Sequence, residues 1–433
     1  MALFPQEALN DGVRKREVFG WAMYDFANSG YTTVVLTAVF NSYFVGVAAQ
    51  GAPWATLAWT LVIAASSAIV MLTMPAIGAH ADLHARKKGL LAMSTAACVL
   101  ATVALSGVGQ GDLWLAVVAM IVSNVCYSYG ESLTAAFLPE LAREDAIGRV
   151  SGWGWSFGYL GGMLSLGLCL AYVLSAQARG VPATEFVPVT MLITAGVYGA
   201  ASLATFLLLR ERATPRVAAA GRRGGLAEAL RQLAATARRA RELRDFSWLL
   251  ASGACYQAGI SVVIALAAVY AEQVLGFKQA QTMMLVFLVN IAAALGAFAF
   301  GYWQDRIGHK PALTLTLAGW IVMTLMAWLA TGPGLFWAAA VVAGLCMGSS
   351  QSAGRAMVGS FAPAAQRAEF FGLWTFATRL SAIVGPVTYG LVTWWTGGNH
   401  RLSILSTALF FVGGLLLLWP LDVARGRAVA RAA

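Results

Sequence analysis

The sequence predicts an all-α membrane protein, with twelve transmembrane helices in two pseudo-symmetric six-helix bundles. Three observations carry that expectation. Of 433 residues, 59% are hydrophobic and only 11% charged, with a mean hydropathy of +0.71, an apolar surplus that a water-facing exterior cannot hold. The apolar residues fall in long runs, each near the roughly 20 residues a helix needs to cross a bilayer. A short charged motif also occurs twice, once in each half of the chain.

Reading breaks at charges, Pro and Gly clusters places the first six helices at 18–47, 54–79, 89–108, 113–138, 150–175 and 188–209. The second six fall at 246–271, 281–302, 311–331, 335–362, 369–395 and 402–422. β-barrel strands would be short and alternating, and no run alternates for long. This divides the chain into an N-terminal half (1–209), a basic linker (210–245) and a C-terminal half (246–433). Within the linker Leu226, Leu230 and Leu233 recur at helical spacing, which predicts a helix lying along the membrane face.

The net charge of +10 is a topology signal. With the N-terminus inside, cytoplasmic segments hold 24 of the 29 Lys and Arg, and external loops keep only Arg179, Lys278 and Arg401. That asymmetry is the positive-inside rule. It predicts cytoplasmic termini, in a bacterial inner membrane, and no nucleic-acid partner. The loops carry no aromatic or groove-reading elements that a nucleic acid would require. All five Cys (98, 126, 169, 255 and 346) lie in apolar runs and read as small core residues. The first 17 residues lack the short apolar core of a signal peptide, so helix 1 is expected to direct insertion.

The repeat is legible around the ends of helices 2 and 8. One copy reads Gly78-Ala-His-Ala-Asp82-Leu-His-Ala-Arg86-Lys87-Lys88, the other Gly301-Tyr-Trp-Gln-Asp305-Arg306-Ile-Gly308-His309-Lys310, offset by 223 residues. Pro139 and Pro363, at the ends of helices 4 and 10, repeat with an offset of 224. The Gly-x-x-x-Asp-(Arg)-x-Gly-(Arg/His)-Lys pattern resembles the signature between helices 2 and 3 of the major facilitator superfamily. The second copy matches more cleanly, because the first has Leu83 and Ala85 where Arg and Gly are usual. In that reading Gly78, Asp82, Arg86, Lys87, Gly301, Asp305, Arg306 and Lys310 form cytoplasmic gating loops. Their glycines allow close helix approach, and their Asp and basic residues form an ion-pair latch between access states.

Two further stretches resemble a narrower branch. Trp21-Ala-Met-Tyr24-Asp25-Phe26-Ala27-Asn28-Ser29-Gly30-Tyr31 looks like the helix-1 motif of the vacuole effluxer (autophagy-related) family of fungi and bacteria. Gly348-Ser-Ser-Gln351-Ser352-Ala-Gly-Arg355 is similar to that family's helix-10 stretch. The family's Asn-Asp type pair in helix 7 is replaced here by Tyr256-Gln257-Ala258-Gly259. Eukaryotic members are linked to release of amino acids from vacuoles, so the resemblance implies transport of a solute of that kind.

Ionisable residues inside membrane helices are costly and face a cavity or a partner. Four are present: Asp25 (helix 1), Glu131 (helix 4), Arg355 (helix 10) and Arg379 (helix 11). Asp25, Glu131 and Arg355 are expected at one depth, roughly 10–12 Å from the cytoplasmic end at 1.5 Å per residue, and Arg379 near mid-membrane. Helices 1, 4, 7 and 10 line the cavity in the superfamily. Asn28, Asn124, Tyr127, Tyr129, Tyr256, Gln257 and Gln351 add neutral hydrogen-bonding groups on them. Subtracting 224 from 355 gives 131, so Arg355 and Glu131 are expected to close on each other across the cavity. Arg379 is expected to anchor helix 11 on a neighbouring carbonyl. Asp25 is either the carrier of a coupling proton or a brace between helices. Gly154, Gly158 and Gly162 on helix 5 permit a close helix contact. The Pro and Arg of drug–proton antiporters are missing, which disfavours a multidrug pump.

No phosphate-cradling loop supports an ATP-driven pump. No nucleophile–base or metal constellation supports an enzyme, and no loop is long enough for a sensor's output domain. The expectation is a cofactor-free, monomeric secondary transporter for a small polar solute. Two acids on the first half and an Arg on the second suit a zwitterion such as an amino acid or small peptide. A larger anionic conjugate, such as a muropeptide or sugar acid, is the alternative.

Overall fold

The structure is a computed structural model, which describes residues 4–52, 54–213, 243–277 and 279–432. Among the described residues, twelve helices are long and apolar enough to cross a membrane. They are α1 (Lys15–Ala48), α2 (Ala55–His84), α3 (Lys87–Leu105), α4 (Leu113–Ala135), α5 (Ile147–Ala178) and α6 (Ala183–Leu208). After the basic segment come α7 (Arg244–Leu275), α8 (Gln279–Ile307), α9 (His309–Leu329), α10 (Pro333–Phe361), α11 (Arg367–Trp395) and α12 (His400–Leu418). The linker helix expected around Leu226 lies outside the described residues.

All twelve predicted spans are present, but several ends differ. The helices α2 and α8 run to His84 and Ile307, so Asp82 and Asp305 sit in last helical turns rather than in loops. Between α8 and α9 the chain turns at Gly308, with φ +94°. The equivalent position in the first copy is Ala85, which takes φ +50° although it carries a Cβ. The outer part of α1 is not a plain α-helix. It is π-helical over Thr32–Ala38 and Phe44–Ala48, with an α-helical turn at Phe40–Tyr43. A thirteenth helix, α13 (Val423–Ala432), follows the last span. With three Arg in ten residues it carries no apolar run of the kind that marks a span.

The packing pattern is written twice. In the first six helices α1 packs on α5 and α6, α3 on α4 and α6, and α2 on α4. In the second six α7 packs on α11 and α12, α9 on α10 and α12, and α8 on α10. Adding six to each number turns one set into the other. The contacts between bundles obey the same rule, since α2 meets α11 and α8 meets α5. Small residues permit these approaches. A Cβ on Gly152 would run into the Ala297 carbonyl oxygen, and one on Gly161 into that of Phe26.

The exterior is apolar, as lipid requires. Leu72, Leu100, Leu207, Leu409 and Leu416 are exposed, and Trp114, Trp394, Trp395 and Trp419 are exposed near helix ends, where indole rings favour the headgroup level. Both termini sit on one face. Leu9 bridges Ala142 and the Asn10 amide donates to the Leu141 carbonyl. On the same α4–α5 connection, Glu144 pairs with Arg427 and Arg431 of α13. This is called the terminal face below.

Candidate functional site

Two layers of polar contacts join the bundles. The outer layer, at the terminal face, is built on the repeated motif. The Asp82 carboxylate on α2 accepts the Glu369 amide at 3.0 Å, in the first turn of α11. The Asp305 carboxylate on α8 accepts the amides of Gly148 and Arg149, at 2.9 and 3.0 Å, in the first turn of α5, and the Arg149 guanidinium at 3.3 Å. Each aspartate thus caps a helix of the other bundle, where free amides and the helix dipole favour negative charge. Gly78 makes the first cap possible, because a Cβ there would run into the Ala368 carbonyl. A Cβ on Gly301 would press on the Arg149 backbone at 3.2 Å.

The latch expected from sequence therefore needs correcting in its partners. The aspartates bind backbone amides across the interface, not the basic residues of their own motifs. Helix N-termini offer several preoriented donors at no side-chain entropy cost, whereas Lys87 and Lys310 of the motifs lie in the first turn of the next helix and turn elsewhere. Lys87 is buried against Glu140, a carboxylate that Arg367 of α11 also approaches at 3.8 Å. Lys310 donates to the Trp419 and Leu421 carbonyls. Arg86 and Arg306 are exposed and make no ion pair among the described residues.

The inner layer holds the four membrane-embedded charges, and here too the sequence expectation is corrected. Arg355 does not pair with Glu131. Its Nη1 donates to the Asp25 carboxylate at 2.6 Å, and its Nε and Nη2 donate to the Ser151 hydroxyl and carbonyl at 3.1 and 2.7 Å. The guanidinium also lies 4.9 Å from the Trp21 ring and 5.2 Å from that of Trp155. Glu131 is taken by Arg379, whose Nη2 donates to it at 3.2 Å. Arg379 is thus no carbonyl anchor. Helix α5 decides the exchange of partners: it lies between α1 and α10, and Gly154 leaves room for Asp25 and Arg355 to meet over it. A Cβ at Gly154 would run into the Asp25 carboxylate and Arg355 Nη2.

The neutral residues divide into two groups. Gln257 of α7 and Gln351 of α10 exchange amide hydrogen bonds at 2.9 and 3.4 Å, and the Tyr256 ring lies buried near Trp374. In the first bundle Tyr198 donates to Asn28 at 2.8 Å and contacts Tyr24, which reaches Thr95. Asn28 is thus committed to a buried network. Tyr127 stacks on Tyr31 at 5.3 Å and lies 6.0 Å from the Arg379 guanidinium. Tyr129 leaves the site and bonds Thr73. Sequence reasoning missed Ser151, Trp21, Arg149 and Glu140, which carry no charge of their own or sit at helix ends that looked like loops.

The interfacial bonds named here all lie in the part of each helix nearer the termini. No extended packing joins α1 to α7, or α4 to α7, among the described residues. The bundles are therefore closed against each other on the terminal face, and the cleft between them is the space onto which the part-exposed Glu131 side chain opens.

Twelve helices in a twofold-repeated packing, closed over paired charges at their interface, define a membrane transporter of the major facilitator type. Solved structures share this fold. The human organic anion transporter MFSD10 (TETRAN) superposes with a TM-score of 0.73 at 16% identity, over 93% of this chain and 99% of that one. The fucose:proton symporter FucP of E. coli gives 0.70 at 14% identity, over 94% and 98%. The model of the vacuole effluxer Atg22-like family matches residues 42–431, and the chain belongs to that family. Its relatives include the MFS-type transporter YxiO of Bacillus subtilis, 24% identical over 92% of this chain and 93% of that protein. Autophagy-related protein 22-1 of Aspergillus niger is 24% identical over 70% of this chain, which spans about half (51%) of the fungal protein. The fold implies a lipid bilayer and a small-molecule substrate as partners.

Proposed function

We propose that this protein is a secondary transporter that moves a small polar solute, zwitterionic in character, by alternating access of its two halves. The observation that carries the reading is the pair of ion pairs across the interface, Asp25–Arg355 and Glu131–Arg379. Buried charges are tolerated when paired, and an unpaired one is penalised by several kcal/mol. A site that joins the halves through such pairs can hold one access state and release it when a solute offers substitute charges. The excess of Lys and Arg on the terminal face supports a cytoplasmic location for both termini, in a bacterial inner membrane, so the cleft faces outward. A proton is the coupling ion in this reading. Asp25, either carrier or brace in the sequence reading, is engaged by Arg355, whereas Glu131 is the more open acid.

Purified protein in proteoliposomes, given radiolabelled amino acids, small peptides and sugar acids with and without a pH gradient, tests the proposal. Saturable accumulation of a zwitterion, dependent on the gradient, is the expected result. Accumulation confined to large anionic conjugates would reject the substrate class, and absence of any saturable flux would reject transport of these solutes.

A further inference from the structure

Arg355 and Arg379, each paired with an acid of the other bundle, differ in their hydrogen bonding. Every nitrogen of the Arg355 guanidinium already donates within the protein, to Asp25 or to Ser151. Arg379 spends one nitrogen, Nη2, on Glu131, while its Nε is buried with no partner among the described residues. A buried donor without an acceptor is unusual and calls for an explanation. The acids differ in the same direction. The Glu131 side chain is 39% exposed at the interface of the bundles, against 13% for Asp25.

A carboxylate meets a guanidinium best side-on, through two parallel N–H···O bonds. The edge of Arg379 that carries the free Nε also carries Nη2, so a ligand that takes this edge competes with Glu131 for Nη2. The four charges, two acids and two bases, balance as long as each is paired. Once Glu131 is displaced it stands in the cleft without its cation and has to be compensated.

Resting on the transporter reading, we infer that Arg379, not Arg355, receives the anionic group of the substrate in exchange for Glu131. Glu131 then takes up one compensating positive charge. That charge is either the substrate's own ammonium or one proton. The ligand therefore loads as an electrically neutral unit, and Glu131 is the residue that enforces it. Arg355 and Asp25 are left as the clasp between the halves. The Tyr127 ring beside Arg379, stacked on Tyr31, offers an aromatic or apolar tail a surface to lie on.

The test is a matched probe series with one tail and different charges: phenylalanine, 3-phenylpropionate and phenethylamine. Each is titrated against the purified full-length protein, with thermal stabilisation as the readout, at pH 6 and pH 8. The variants are Glu131→Gln, Arg379→Gln and the charge-conserving Arg379→Lys. Stabilisation of the unaltered protein by phenylalanine, equal at both pH values, assigns the positive charge to the ligand. Stabilisation by 3-phenylpropionate that strengthens by about tenfold or more at pH 6 assigns it to a proton. In both cases Glu131→Gln accepts 3-phenylpropionate at either pH, Arg379→Gln loses both carboxylate probes, and Arg379→Lys retains them more weakly. The inference is overturned if Glu131→Gln keeps the charge preference of the unaltered protein, if Arg379→Gln still binds the carboxylates, or if no probe stabilises any variant. Cysteine accessibility from each face is measured on the same samples. Switching that persists while the probe series fails leaves the transporter reading standing, and loss of both removes the two together.

Discussion

Arg355 of α10 and Asp25 of α1 are 330 residues apart in the chain and 2.6 Å apart in the fold. They belong to different bundles, and the bond between them closes over Gly154 of α5. No movement that opens the terminal face can leave this contact intact. The same holds for Glu131 and Arg379, which join α4 to α11.

Breaking one of these pairs from one side should be worse than removing both members. A buried ion that has lost its partner costs about 3–5 kcal/mol, whereas a neutral replacement of the whole pair is often tolerated. Asp25→Asn and Arg355→Gln are each expected to lower the melting temperature and to abolish gradient-driven accumulation. The double variant should regain most of the stability but not the transport. Charge reversal should rescue switching only for the pairs observed, Asp25 with Arg355 and Glu131 with Arg379. Exchanging Glu131 and Arg355 should rescue nothing. A melting series on these variants decides the point, and recovery in the Glu131/Arg355 exchange would show that the partners are wrongly matched.

How much of this was legible beforehand depended on period and chemistry. Twelve apolar runs and a motif repeated at an offset of 223 made the spans legible and placed Asp82 and Asp305 at span ends on one face. That same arithmetic, applied to Glu131 and Arg355, joined two membrane-embedded charges that the fold pairs with other partners. Pseudo-symmetry relates positions within each bundle, but it does not say which of them meet across the interface. That is decided by which helix stands between. Here α5 carries Gly154 against α1 and Ser151 against α10, a placement that no single-residue signal in the sequence announces. The amide partners of Asp82 and Asp305 were illegible for a related reason, since a helix N-terminus binds through its backbone whatever its side chains are.

The two caps at the terminal face should act in parallel. Losing the negative charge from a helix N-terminus costs about 0.3–1 kcal/mol, so Asp82→Asn and Asp305→Asn should each shift the access equilibrium toward opening of the terminal face by roughly two- to fivefold. The double variant should shift it by about the product, because the two sites share no partner. A single cysteine placed in the cleft reports the shift through its labelling rate from the opposite face. Unchanged labelling in all three variants would reduce the motif to a topology signal.

Ala85 and Gly308 offer a test that touches stability and leaves the cleft alone. Both close the turn after a span, at φ +50° and +94°, and only glycine adopts that region without steric cost. The left-handed conformation costs an ordinary residue about 1–2 kcal/mol, offset by about 0.4–1 kcal/mol for the freedom glycine adds to the unfolded chain. Ala85→Gly is therefore expected to stabilise the protein slightly, by up to about 1 kcal/mol, and Gly308→Ala to destabilise it by a similar amount or more. Transport should be nearly unchanged in Ala85→Gly. Thermal unfolding of the two variants in one detergent checks the sign, and a loss of stability in Ala85→Gly would mean that the methyl group of Ala85 packs better than its backbone geometry suggests.

The C-terminal helix α13 makes the last prediction, because it spans the closed interface from outside. On one side Arg425 donates twice to Asp245 at the start of α7, at 2.6 and 2.7 Å. On the other, Arg427 and Arg431 meet Glu144 in the connection between α4 and α5. The helix thus ties the second bundle to the first at the terminal face. Its ion pairs with Glu144 are open to water, and exposed pairs contribute about 0–1 kcal/mol each and weaken with salt. Glu144→Gln, or truncation after Asp422, should therefore ease opening of the terminal face less than loss of either aspartate cap. The difference between truncated and full-length protein should shrink as ionic strength rises, because salt already loosens the same contacts in the full chain. Labelling of the cleft cysteine at low and high salt measures this. A truncation effect equal to that of Asp305→Asn and indifferent to salt would show instead that α13 holds the face closed by packing, through the close approach of Gly426 to the Phe361 ring at the end of α10.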